Sequence, residues 1–290
     1  AARHEPPELA SYHHALEAKI AETKRRKERK GRFEAALAAA KAPKEDDDVL
    51  KLWSDAADLA DDPKDAAEAY IGRGKAHQAA GGELDDPLVE YKLAVKDFTI
   101  AIQRAPELAE GYANRALVQK AIGQTQEEQG GEALENYRAA IEDQSKVVEI
   151  RGDGAAYTER AQLYQLKAGA ERIKGRDAAE SITKALEDLG AAIGKSPEAA
   201  GPMIARGQLY QAEKKYDEAL ADFEKATRLD PTVADLHVYR AQIYWGMADR
   251  DVADGRDCVK NLDAAIRAVE KSIEVSPELP VYHGNRAMIY

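Results

Sequence analysis

The chain has 290 residues, 33% of them charged, with a formal net charge of −11 and only 6% aromatics. No run of about 18 apolar residues occurs, so nothing in it is expected to span a membrane, and the single Cys258 excludes an intrachain disulfide. The charge is uneven: residues 1–43 carry a balance of +4 and the remainder −15, and an acidic body argues against a nucleic-acid groove and for basic or neutral protein partners.

In chain order, residues 8–42 read as helical and hold the only basic block, Lys24-Arg25-Arg26-Lys27-Glu28-Arg29-Lys30. Without interleaved aromatics this block reads as a solvated helix face. Pro43 and the acidic Glu45–Asp48 form a break. Val49–Ala60 then predicts a helix with Leu52, Trp53, Ala56 and Leu59 on one face, ended by Pro63. Residues 1–63 read as degenerate helices that cap the rest of the chain, since a terminal unit needs a polar outer side.

From residue 64 a short pattern returns six times: a large residue, Arg three positions on, then Gly or Ala, then usually an aromatic three further. It reads Tyr70–Arg73–Gly74–His77, Tyr112–Arg115–Ala116–Gln119, Tyr157–Arg160–Ala161–Tyr164, Met203–Arg206–Gly207–Tyr210, His237–Arg240–Ala241–Tyr244 and His283–Arg286–Ala287–Tyr290. The spacing i, i+3, i+4, i+7 is one face of a helix. A second helix comes after each of the first five, marked by a small residue, an apolar one four on, a small one three further and a Pro five beyond. Ala94–Phe98–Ala101–Pro106, Ala185–Leu189–Ala192–Pro197 and Ala219–Phe223–Ala226–Pro231 are clean copies. Ala265–Val269–Ser272–Pro277 is close, and Ala140–Gln144–Val147–Gly152 is degenerate. Self-similarity at this period predicts a helical solenoid.

These marks resemble the tetratricopeptide repeat over residues 64–290, as five full units and the first helix of a sixth. The unit at 200–233 has the family's usual length and ends in Leu229-Asp230-Pro231. The resemblance implies an all-α, right-handed superhelical solenoid of antiparallel helix pairs, and a protein-interaction role. Some family members clamp a C-terminal carboxylate with Lys and Asn at set inner positions. Here Ala113 and Leu117 flank Asn114, and Gly284 and Met288 flank Asn285, so no complete clamp is expected.

The second helix carries Asp one position before its apolar mark, at Asp97, Asp143, Asp188 and Asp222. Each is expected to pair with the Arg of its own hairpin, from Arg73–Asp97 to Arg206–Asp222. Ala268 breaks the series and leaves Arg240 without such a partner. The linking stretch within the hairpin is nine residues in the fourth unit, 17 in the first and 21 in the second, third and fifth. Twelve extra residues shared between two helices would lengthen each by roughly one and a half turns, with Gly81-Gly82, Gly130-Gly131, Gly175 and Gly255 supplying turns.

In the resemblance, the inner face is lined by the residue five after each large mark and by one three further on. These are Lys75, Leu117, Gln162, Gln208 and Gln242, then Gln78, Lys120, Gln165, Gln211 and Trp245. Six of the ten are Gln, whose amides both donate and accept. Such a ladder pairs with the main chain of an extended peptide, and Trp245 would anchor one end. The candidate partner-binding residues are therefore Lys75, Gln78, Lys120, Gln162, Gln165, Gln208, Gln211, Gln242 and Trp245.

No catalytic, cofactor or metal pattern is visible. Gly72-Arg73-Gly74-Lys75 lacks the spacing and hydroxyl of a phosphate loop. His77, His237 and His283 occupy packing marks, and Cys258 has no ligand-spaced companion. The expected function is a non-catalytic scaffold binding a protein or extended peptide in a concave groove. The alternatives are a docking arm of a larger kinase or protease, and a self-assembly module forming homo-oligomers. The chain starts without Met and stops inside a motif, and reads as a piece of a longer protein, cytoplasmic, or exported if a leader or anchor precedes it.

Overall fold

Among the described residues six aspartates start helices, Asp86 among them through the N–H of Leu88. Asp48, Asp62 and Asp153 each accept a hydrogen bond from a backbone N–H two or three residues on, and Asp177 and Asp257 do the same for Ala179 and Val259. Such caps satisfy donors that the first turn leaves unpaired. The computed structural model describes residues 7–45 and 47–289. They form thirteen helices and no strand.

The chain divides into two compact units, residues 1–150 and 151–290. The first holds α1 (Pro7–Lys41), α2 (Val49–Leu59), α3 (Pro63–Gly82), α4 (Leu88–Arg104), α5 (Ala109–Glu128) and α6 (Leu134–Arg151). The second holds α7 (Gly154–Ile173), α8 (Ala179–Lys195), α9 (Ala200–Ala212), α10 (Tyr216–Leu229), α11 (Ala234–Ala253), α12 (Val259–Val275) and α13 (Pro280–Ile289). Pro63 does not close α2, as its position in the sequence suggests. It opens α3, where a missing N–H costs nothing, with Asp62 as cap.

The repeated marks are packing positions. Ala94, Ala140, Ala185, Ala219 and Ala265 are fully buried, as are Phe98, Leu189 and Phe223. The small residue after each Arg is a requirement of close approach: a Cβ at Gly74 would stand 2.6 Å from Phe98 Cε1, and one at Gly207 2.8 Å from Phe223 Cε1. Gln144, where the other units carry an apolar side chain, is buried too. The backbone N–H of Ala105, Ser196, Asp230 and Ser276 each closes the last turn of its helix, and Pro comes directly after. A proline there cannot continue the helix. In α6 that place is taken by Gly152 at φ 61°.

The four expected ion pairs are present and bidentate. Nε and Nη2 of Arg73, Arg115, Arg160 and Arg206 donate to the two carboxylate oxygens of Asp97, Asp143, Asp188 and Asp222 at 2.6–2.8 Å. The Asp side chains are 4–7% exposed. The hydrogen bonds to these carboxylates push each guanidinium above its ordinary pKa. Arg240 has only Glu224 at 3.9 Å, and its buried Nε has no hydrogen-bond partner among the described residues. In the sixth motif the side chains of His283 and Ala287, and Tyr290 itself, lie outside the described residues, as do the side chains of Asn285 and Met288 and the whole of Asp46.

The longer hairpins are helical to their tips, but the extra length is not shared evenly. The first helices α5, α7 and α11 have 20 residues against 13 in α9, whereas α6, α8 and α12 have 17 or 18 against 14 in α10. Gly81 and Gly82, expected as a turn, are the last residues of α3, because Gly81 is buried against Tyr91 and the chain turns only after them. In the other four hairpins the position of a left-handed residue sets where the first helix stops. It is Gly130, Gly175 and Gly255 in the long hairpins and Lys214, φ 58°, in the short one.

The added height carries a further packing layer. Gly81 lies against Tyr91 and Gly123 against Tyr137, at Cβ approaches of 2.7 and 2.6 Å, and Ala168 shares a core cluster with Ile182. Above it sits a latch. Asn136 donates to Gln126, Ser181 to Glu171 and Asn261 to Asp251, at 2.6–2.7 Å. The main-chain carbonyl of each of those acceptors also receives the N–H of the residue after the left-handed glycine.

This packing sets three stability outcomes. Asp188→Ala removes the buried carboxylate that Arg160 grips and is expected to cost about 3–5 kcal/mol, read by denaturant unfolding. Ala268→Asp supplies Arg240 with the carboxylate the other hairpins have and should raise Tm, by a gain on the order of 1.5 kcal/mol; an unchanged Tm would mean the fifth hairpin is not built like the others. Gly207→Leu overpacks Phe223 and should cost at least about 1–3 kcal/mol, so a wild-type melt would refute the phasing of the repeat.

Candidate functional site

A residue two positions past the paired Arg points about 200° away from it on a helix. With Arg160 and Arg206 turned into their hairpins, Gln162 and Gln208 must face outward. Both are exposed, and so is Gln242 at the same position of α11. The row three residues further on is half buried: Gln165 on α7, Gln211 on α9 and Trp245 on α11. Neighbouring rungs touch, since Gln211 Nε2 donates to Gln242 Oε1 at 3.3 Å. Trp245 is oriented by its own helix, its indole N–H donating to Asp249 Oδ2 at 3.1 Å. Unit 2 thus brings six of the nine sequence-derived residues onto its three first helices.

The other three lie in unit 1. Lys75 is exposed and paired with Glu110 at 2.6 Å, while Gln78 and Lys120 are half buried. Leu117, at the position where unit 2 carries Gln, is 43% exposed. Lys75 also borders a cavity of about 530 Å³ whose wall includes Trp53 of α2. Trp53 shows in the sequence only as part of an apolar helix face, because the cavity is assembled from segments far apart in the chain.

The titratable groups on these helices have structural explanations. His77 Nδ1 lies 2.7 Å from Glu90. His237 is 7% exposed with Nδ1 unpartnered among the described residues. Burial, then the charges of Arg240 and Lys271, lower its pKa below the ordinary 6.5 against a smaller opposing effect of Glu274. Cys258 is half buried at the start of α12. Among the described residues no group of three His, Cys, Asp or Glu side chains is arranged to hold a metal ion, and no helix is long and apolar enough to cross a membrane.

The model of the tetratricopeptide repeat family matches residues 204–233, which covers α9, the turn at Lys214 and α10. The human tetratricopeptide repeat protein 36 is 28% identical over 155 residues, 46% of this chain and 79% of that protein. The solved structure of YrrB, described as a tetratricopeptide repeat protein with an unusual peptide-binding site, superposes with a TM-score of 0.50 at 17% identity, over 76% of this chain and 92% of its own. Residues 204–233 are a tetratricopeptide repeat, and the chain has the all-α fold of such repeats.

An Arabidopsis thaliana DnaJ protein P58IPK homolog is 24% identical over 189 residues, 65% of this chain. The chain spans 34% of that protein's length, and 26% of a Dictyostelium discoideum DnaJ homolog subfamily C member 7 homolog. Tetratricopeptide repeats are generally protein–protein interaction scaffolds and typically non-enzymatic.

The neutral, buried His237 gives a pH dependence with a definite sign. Its folded pKa is depressed, so the unfolded chain takes up its proton first as pH falls. Stability is full above about 6.5 and declines as pH falls through the folded value. Tm measured from pH 7.5 to 5.5 should fall more steeply in wild type than in His237→Gln; parallel curves would exclude His237 as the source.

Proposed function

We propose that this repeat protein is a non-catalytic scaffold that holds an extended peptide or a peptide-like segment of a partner along the inner face formed by α7, α9 and α11. The observation that carries the reading is the column of exposed amides Gln162, Gln208 and Gln242 at one position of three consecutive first helices. A second row of Gln165, Gln211 and Trp245 runs beside it. Primary amides supply donors and acceptors in equal measure, as a peptide main chain does, so such a surface holds an extended segment with little regard to its side chains. Trp245, with its ring orientation fixed through Asp249, adds apolar contact at one end. In unit 1, Lys75, Gln78 and Lys120 occupy the corresponding places and add positive charge. The acidic balance of the body favours basic or neutral partners.

The test is affinity capture from native lysate, comparing wild type with a triple variant carrying Gln165→Glu, Gln211→Glu and Trp245→Ala. None of the three side chains is fully buried, so the variant should retain its melting transition. The expected result is a partner held by wild type and lost by the folded variant. A partner kept by both would move the interface off this face, and no partner at all would favour an arm of a larger enzyme or assembly.

A further inference from the structure

Unit 1 holds a cavity of about 530 Å³ between its cap helices and its first repeat, within the range of roughly 300–1,000 Å³ usual for ligand sites. Trp53 of α2, Ile71 and Gly72 of α3, and Ala105 and Leu108 from the α4–α5 connection supply its apolar wall. The placement of the indole is enforced. A Cβ at Gly72 would stand 2.3 Å from Trp53 Cε3 and Cζ3, so the ring lies directly on the backbone of α3.

The charged part of the lining is balanced. Lys41 pairs with Glu68 at 2.5 Å, Lys64 with Glu107 at 3.5 Å and Lys75 with Glu110 at 2.6 Å, and all six residues line the cavity. Three ammonium groups against three carboxylates leave no net field for a phosphate or another multiply charged ligand. Each partner of these pairs is 45–78% exposed, and exposed pairs are held weakly. They can therefore open and offer donors and acceptors to a peptide main chain.

We infer that this cavity takes a bulky apolar side chain, aromatic or branched aliphatic, from an extended peptide segment whose adjacent residues are uncharged. A charged side chain would be desolvated against Trp53 and gain no net counter-charge from a lining of three ammonium groups and three carboxylates, which is unfavourable. A small side chain would leave the apolar wall in contact with water. The inference rests on the reading of the chain as a peptide-binding scaffold and adds a side-chain preference that the amide column lacks.

The chain has two tryptophans, Trp53 and Trp245, so their indole N–H signals in a nitrogen-15 correlation spectrum report on the two surfaces separately. Trp245→Phe assigns them. The probes are acetyl-Gly-Ser-X-Ser-Gly-amide peptides with X as Phe, Leu, Ala or Glu, titrated into the full chain. Saturable movement of the Trp53 signal is expected with Phe and Leu, at least tenfold tighter than with Ala or Glu. Gly72→Ala, which pushes the indole off α3, should weaken the Phe peptide fivefold or more; the wild-type titration is decisive even if that variant does not fold. No saturable movement with Phe or Leu, or equal response to Ala or Glu, would overturn the inference. A silent Trp53 together with a partner lost from the unit 2 variant removes only the cavity. A responsive Trp53 with no captured partner keeps the cavity and removes the amide column.

Discussion

One buried contact governs four of the five complete hairpins: a planar guanidinium gripped at both ends by a carboxylate on the facing helix. Two parallel hydrogen bonds fix distance, rotation and height together, which a purely apolar seam does not. Burial of the Asp makes the pair a modest source of net stability and a strong penalty on any other arrangement. Small residues are then required beside it, because the helices approach until Phe98 and Phe223 rest on the backbone at Gly74 and Gly207. The same rotation turns the residues two positions on toward solvent. The outward turn of Gln162 and Gln208 is thus the outer consequence of an inner ion pair.

The second, third and fourth hairpins differ in height without differing at this level. Above it the first, second and third hairpins add a small residue against a large one, and the second, third and fifth carry a side-chain latch at the tip. The acceptor residue of the latch works twice, through its side chain to the second helix and through its carbonyl to the turn. In the third hairpin the latch also involves Lys167, whose Nζ donates to Ser181 Oγ and lies 2.9 Å from Glu171.

Much of this was legible in the sequence because it rests on single residue types at fixed spacing. The Arg and Asp series named four ion pairs and the one hairpin that lacks its carboxylate. The inner rows came from the same phase, and the structure places six of their residues on three successive first helices of unit 2. Other features were hidden for physical reasons. The extra packing layer uses Gly81 with Tyr91 in one hairpin and Ala168 with Ile182 in another, so no common letter marks it. The uneven division of length depends on where one left-handed residue falls, and in the short hairpin that residue is Lys214 rather than glycine. The cavity beside Trp53 is lined from five helices or their junctions, and no local pattern announces it.

The tip latches separate two tasks that share one pair of helices. In the second, third and fifth hairpins the left-handed turn and its latch close the tip above the extra layer, several residues along each helix from the level of the repeated Arg. The tips are therefore the natural docking points for foreign sequence: a reporter loop or an epitope carried there lies far along the helices from the exposed column of Gln162, Gln208 and Gln242.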